Sequence, residues 1–151
     1  MQQPLIEITG NGFNGSRAGQ PILLFLHANG YPPRAYNSFL TGLTRTANVF
    51  AVEHRPLWGG SAPRFLSWQI YADDAIATLD QNFSCPIWLV GHSLGGAISM
   101  MIAARAPQKV LGLITLDPVI IGRRFSLWSQ IALNLWPDRP KIIRRALNRP
   151  H

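Results

Sequence analysis

With 151 residues, 47% of them hydrophobic and 14% charged, the chain has material for one α/β domain with a real core and lacks the composition of a disordered protein. A single cysteine, Cys85, excludes an internal disulfide, and no apolar run approaches the roughly 20 residues needed to span a bilayer. The net charge of +7 is unevenly spread: from Gly122 onward there are seven basic residues against one acid, Asp138, so the first 121 residues are nearly neutral.

The N-terminal MQQPLIEITG has no basic region followed by a long apolar stretch. Neither a signal peptide nor an anchor is expected, and a cytoplasmic location is the default. Leu5 to Thr9 alternates weakly before the turn-rich GNGFNGSRAG, as an edge strand leading into a tight connection would. Pro21 to Leu26 is a continuous apolar run, the pattern of a strand covered on both faces, and it ends in His27-Ala28-Asn29-Gly30. Pro33 to Ala47 opens with prolines and spaces Tyr36, Phe39, Leu40 and Leu43 by three and four, which predicts a helix.

Asn48 to Val52 predicts a third strand, followed by the loop EHRPLWGGS. Ser67 then caps a predicted helix with Ile70, Tyr71, Ala75, Ile76 and Leu79 on one face and Asp73, Asp74 and Asp80 pointing away. Pro86 to Val90 is another strand-length apolar run, and Cys85 at its start predicts a packed thiol. A helix of small residues follows, and Val110 to Leu116 is one more covered strand, ending at Asp117-Pro118. Strands and helices alternate from Pro21 to Leu116, the order that makes a mostly parallel sheet with helices on both faces. Ligands are expected at the carboxyl ends of its strands.

Beyond that sheet, Phe125, Leu127, Trp128, Ile131, Ala132 and Leu135 keep helical spacing until Trp136-Pro137. Ile142 to Leu147 predicts a further short helix, and tryptophans on free helices would be exposed, so these pieces are expected to fold over something. The basic residues of this tail suit nucleic acid or an anionic membrane surface, and equally the solvated face of helices. The last reading is preferred because no nucleic-acid motif is present; no nucleic-acid partner is expected, and membrane-surface contact stays a minor alternative.

The chemistry concentrates at Gly91-His92-Ser93-Leu94-Gly95, where a strand turns sharply into a helix. Ser93 is the candidate nucleophile, held in a strained backbone conformation that requires the neighbouring glycines for space. Together with LFLHANG after the first covered strand and LDP after the last, this elbow resembles the α/β-hydrolase family over roughly Leu5 to Ile121. HANGYPP is similar to the His-Gly loop of small esterase-like and lipase-like members. The loop EHRPLWGGSAP departs from the family's short Asp-x-Arg-Gly-His-Gly sequence, and its tryptophan and prolines fit either an apolar pocket or surface packing.

The resemblance implies a serine hydrolase that forms an acyl-enzyme on Ser93 from a small-molecule carboxylic ester, with the backbone N–H groups of Leu94 and Asn29 as the oxyanion hole. Two such donors at a helix N-terminus stabilise the negative oxygen that acyl transfer develops, and each is worth about 3 kcal/mol. Serine at position 93 argues against the family's epoxide and dehalogenase chemistries, and His27 is read as a brace for its loop. No cofactor and no metal site are expected.

The family's order of serine, acid, histidine leaves a gap here. Downstream of Ser93 the one histidine is His151, the last residue, which nothing beyond it can hold in place. His92 adjoins the serine but points apart from it, and His54 belongs to a different loop. Asp117 and Asp138 are the available acids, with Asp117 better explained as starting a turn before Pro118. The chain therefore reads as the N-terminal portion of a hydrolase: residues 1–121 from the core and 122–151 from the start of a helical cap, without the C-terminal strands. A truncated product, a fragment, one piece of a split enzyme completed by a C-terminal partner, and a non-catalytic binding or scaffold protein on the same fold all fit that pattern.

Overall fold

Apolar runs separated by helical segments produce a five-stranded sheet in the computed structural model, which describes residues 3–9, 17–57 and 67–120. The loop 58–66 and the segment 122–151, with its expected cap helices, basic residues, Asp138 and His151, lie outside the described residues. The chain divides into two units after Val119.

The strands β1 (Leu5–Ile8), β2 (Ile22–Leu26), β3 (Asn48–Val52), β4 (Ile87–His92) and β5 (Val110–Leu116) lie in the order β1-β3-β2-β4-β5. All pairings are parallel except that of β1, which closes one edge antiparallel to β3 with Leu5 opposite Val52. Leu26 pairs with both Val52 and Gly91, so β2, β3 and β4 finish level and the segments that follow them share one edge of the sheet. That common edge is where a parallel sheet presents its loops to a ligand.

The uniform apolar run of β2 follows from burial on both faces. Leu24 and Leu26 meet α2 (Trp68–Asn82) and α3 (Leu94–Arg105) in a cluster with Val52, Tyr71, Leu79, Leu89 and Ile98. Leu23 and Phe25 point the other way, into a cluster with Val49, Ala51, Val90 and Leu40 of α1 (Asn37–Leu43). Each fully buried leucine or phenylalanine contributes about 2 kcal/mol, and these two layers fix the strand ends that carry the loops.

Four expectations need correction. The predicted helix Pro33 to Ala47 is a 3-10 turn over Pro33–Tyr36 followed by α1, which stops at Leu43. Threonine hydroxyls end it: Thr44 Oγ1 donates to Thr41 O at 2.8 Å and Thr46 Oγ1 to Leu43 O at 3.3 Å, so side chains compete for the backbone. In α2, capped as expected by Ser67 accepting from the Gln69 N–H, Asp74 does not point away. It accepts a bidentate pair from Arg55 at 2.7 and 2.8 Å, while Ala72 and Thr78 join the buried face. Cys85 is exposed rather than packed, because it sits in the turn before β4 begins.

The fourth correction is β5, which is only half covered. Among the described residues it pairs with β4 alone, and Leu111, Ile114 and Leu116 are exposed at that edge. α3 packs on one face; on the other, the Trp88 ring lies directly over Gly112, where no side chain would fit.

Candidate active site

Ser93 sits between β4 and α3 with φ 53° and ψ −114°, a conformation that side-chain-bearing residues rarely adopt. Three groups hold it there. Its N–H donates to Leu116 O at 2.9 Å, and its carbonyl accepts from both Ala97 N–H and Val119 N–H at 3.2 Å. The turn closes this tightly only because side chains are absent nearby. A Cβ on Gly95 would fall on the Leu26 carbonyl, one on Gly91 would fall on the Gly95–Gly96 peptide, and one on Gly96 would press on Pro118 at 3.0 Å. The first turn of α3 therefore abuts the end of β2, the strand that leads into His27-Ala28-Asn29.

Leu94 is the first residue of α3, so its N–H has no intrahelical acceptor and carries the positive end of the helix dipole. Asn29 lies in an exposed turn closed by Tyr31 N–H donating to Ala28 O at 3.2 Å, and among the described residues nothing accepts from the Asn29 N–H. The Ala28 N–H is taken up by Tyr36 Oη at 3.3 Å. The structure thus brings Ser93, Leu94 and the Asn29 loop to one end of two adjacent strands.

The histidines at this edge are committed to one another. His54 Nε2–H donates to His27 O, and His54 N–H donates to His27 Nε2, both at 3.1 Å. His27 Nδ1–H in turn donates to Ala28 O at 2.7 Å. These partners fix both tautomers, with the rings 4.1 Å apart and Tyr71 edge-on to His54 at 5.2 Å. Burial pushes the His54 imidazole down to about 3, with the neighbouring His27 adding to the effect, and burial also lowers His27. Among the described residues His54 Nδ1 has no partner, although it is buried. His92 Nδ1 is 2.8 Å from Tyr36 Oη, so no described histidine bonds the Ser93 hydroxyl.

Asp117 follows β5 with φ 45°, a second strained residue beside the elbow, since Leu116 and Val119 on either side of it both bond Ser93. It is exposed, and no described histidine reaches it. Among the described residues no group of three or more histidine, cysteine, aspartate or glutamate side chains gathers to hold a metal ion.

Sequence reading missed Tyr36, taken only as a helical apolar position, and the His27–His54 pair. The pair had a signal: His27 is the first residue after β2 and His54 the second after β3, and a parallel register that aligns Leu26 with Val52 brings these two segments side by side. Tyr36 had none, since its partners lie 8 and 56 residues away.

A family model described as the alpha/beta hydrolase family matches residues 23–150. The chain belongs to the alpha/beta hydrolase family. Lipase LipV of Mycobacterium tuberculosis is 32% identical over 114 residues, covering 66% of this chain and 44% of that protein. Mouse (Mus musculus) monoglyceride lipase is 30% identical over 80 residues, 49% of this chain and 26% of that protein. Among solved structures, a carboxylesterase of the thaumarchaeon Nitrososphaera gargenis superposes with a TM-score of 0.69 at 21% identity, covering 86% of this chain and 47% of that one. This alpha/beta hydrolase chain spans less than half the length of each of these relatives.

Two measurements check the site's construction. Gly95→Ala should destabilise the protein by about 3 kcal/mol or more, because its Cβ meets backbone that cannot move aside. Gly42→Ala, in open space on α1, should be neutral or stabilising by up to about 1 kcal/mol in the same urea titration.

Acid should also loosen this edge. The unfolded chain protonates an imidazole near pH 6.5, whereas folded His54 resists protonation down to about 3. Between those values the unfolded state binds the extra proton, so stability falls as pH drops, by about 1.4 kcal/mol per pH unit from this group. Urea unfolding of wild type and His54→Asn from pH 7 to 4 should show a shallower slope in the variant. Equal slopes would mean that His54 is not buried neutral.

Proposed function

We propose that this chain carries the nucleophile half of a serine hydrolase that acts on carboxylic esters through an acyl-enzyme on Ser93. The observation that carries the reading is the strained Ser93 backbone at the N-terminus of α3, against the end of β2. Strain of this kind costs about 1–3 kcal/mol and persists where function needs the side chain aimed. In this reading Ser93 Oγ attacks the ester carbonyl as its proton passes to a base, the N–H groups of Leu94 and Asn29 hold the developing oxyanion, the C–O bond breaks as the alcohol leaves with that proton, and water then hydrolyses the acyl-enzyme. Lipase and monoglyceride lipase among the relatives support an ester with an apolar acyl or alcohol group. Residues 1–121 serve as core and 122–151 as the start of a cap.

In this reading the base comes from outside the described residues: His27 and His54 bond one another and the backbone, His92 Nδ1 faces Tyr36 Oη, and the unpartnered His54 Nδ1 is buried. His151 and a C-terminal portion of the kind the longer relatives possess, on the same or a complementary chain, are both compatible with this reading. Without a base, an oxyanion hole and binding alone give roughly a thousandfold over water. The commitment of all three histidines also favours a second reading, a non-catalytic binding protein on the same fold.

A fluorophosphonate separates the two. Slow labelling that maps to Ser93 by mass spectrometry and disappears in Ser93→Ala is the expected result. An absence of Ser93-dependent label over many hours would sink the nucleophile reading and leave the binding protein.

A further inference from the structure

Two hydrogen bonds meet at the Tyr36 hydroxyl, one from each side of the site. Ala28 N–H donates to Oη at 3.3 Å, and His92 Nδ1 lies 2.8 Å from the same oxygen. All three groups are satisfied when Oη accepts from Ala28 and donates its own proton to His92 Nδ1. Ala28 is the residue before Asn29 and is 4% exposed, so its N–H, past the end of the β2 ladder, has no water to turn to. His92 is the residue before Ser93. The tyrosine thus bridges the loop after β2 and the elbow at the end of β4, one residue before Asn29 and two before Leu94.

The tyrosine itself is well fixed. It closes the 3-10 turn begun by Pro33, its ring packs 4.7 Å from Phe25 in the core and stands edge-on to His92 at 5.7 Å. Burial raises its pKa above the ordinary phenol value, so the hydroxyl keeps its proton throughout the neutral range. On the other flank His54 pins the same loop through His27. That second pin runs to β3, which carries no part of the candidate nucleophile, so it holds the loop without setting its distance from the elbow.

We propose that Tyr36 is a positioning residue that sets the spacing between the Asn29 and Leu94 N–H groups, and with it the oxyanion hole, by tying Ala28 to His92. The proposal rests on Ser93 being the nucleophile, and deepens that reading by naming what preorganises its hole. Oxyanion donors act only when held at the position the transition-state oxygen will take, and small displacements cost rate rather than ground-state affinity. Tyr36→Phe removes the tie and leaves the ring on Phe25.

The test uses wild type and Tyr36→Phe, with two readouts. In proton–nitrogen NMR spectra, the variant should shift the backbone amides of Ala28 and Asn29 together with those of His92, Ser93 and Leu94, and move the His92 imidazole nitrogens. In fluorophosphonate inactivation, the maximal rate should fall about tenfold while the half-saturating concentration stays the same. Amide shifts confined to residues 33–40, or an unchanged maximal rate, would overturn the proposal. If wild type is not labelled at all, the reading of Ser93 fails and the spectra alone decide whether Tyr36 holds the two loops.

Discussion

The arrangement depends on a close approach: α3 starts so near the end of β2 that position 95 admits no side chain. The geometry of the elbow follows from that contact. It forces the chain through a positive φ at Ser93 and places the helix N-terminus beside the loop that begins at His27. Through the bonds at Leu116 and Val119 it also couples the elbow to the end of β5, where Asp117 is strained in turn. Two side-chain-bearing residues at positive φ, adjacent across neighbouring strands, store about 1–3 kcal/mol each. The two apolar layers around β2 offset this, since a handful of fully buried leucines outweighs it.

Around the elbow lies a set of polar groups with almost no spare valence. His27, His54, Tyr36 and His92 spend their bonds on one another or on the backbone of the strand ends, and Arg55 anchors the loop after β3 to Asp74 of α2. A hydrogen bond adds about 1 kcal/mol net, but orphaning a buried partner costs about 1–3, so such a network resists piecemeal change. The same commitment denies Ser93 a base from these side chains. One network thus ties the loop after β2 to the elbow and leaves no described histidine on the Ser93 hydroxyl.

Much of this was legible in the sequence because it is local. The unbroken apolar run PILLFL announces a strand buried on both faces, Ser67 announces a helix start, and GHSLGG announces a strand-to-helix turn whose glycines the close contacts require. Family and fold followed from those stretches. What could not be read depends on partners far along the chain. Asp74 looks like a solvated helix acid until Arg55 of the preceding loop reaches it. Tyr36 fits an apolar periodicity equally well as packing or as a bridge. The exposure of β5 depends on what flanks it in the sheet, which its own apolar residues do not encode.

The decisive property is strain in the backbone at Ser93, held for the sake of its side chain. The most direct measurement compares the stability of Ser93→Gly with that of Ser93→Ala by urea unfolding. Both lack the hydroxyl, and they differ in whether the residue tolerates φ near 53°. Glycine should be the more stable by about 1 kcal/mol or more, despite the larger conformational entropy it loses on folding. Equal stability, or an alanine variant more stable than the glycine one, would contradict a strained elbow and with it the case for Ser93 as an aimed nucleophile.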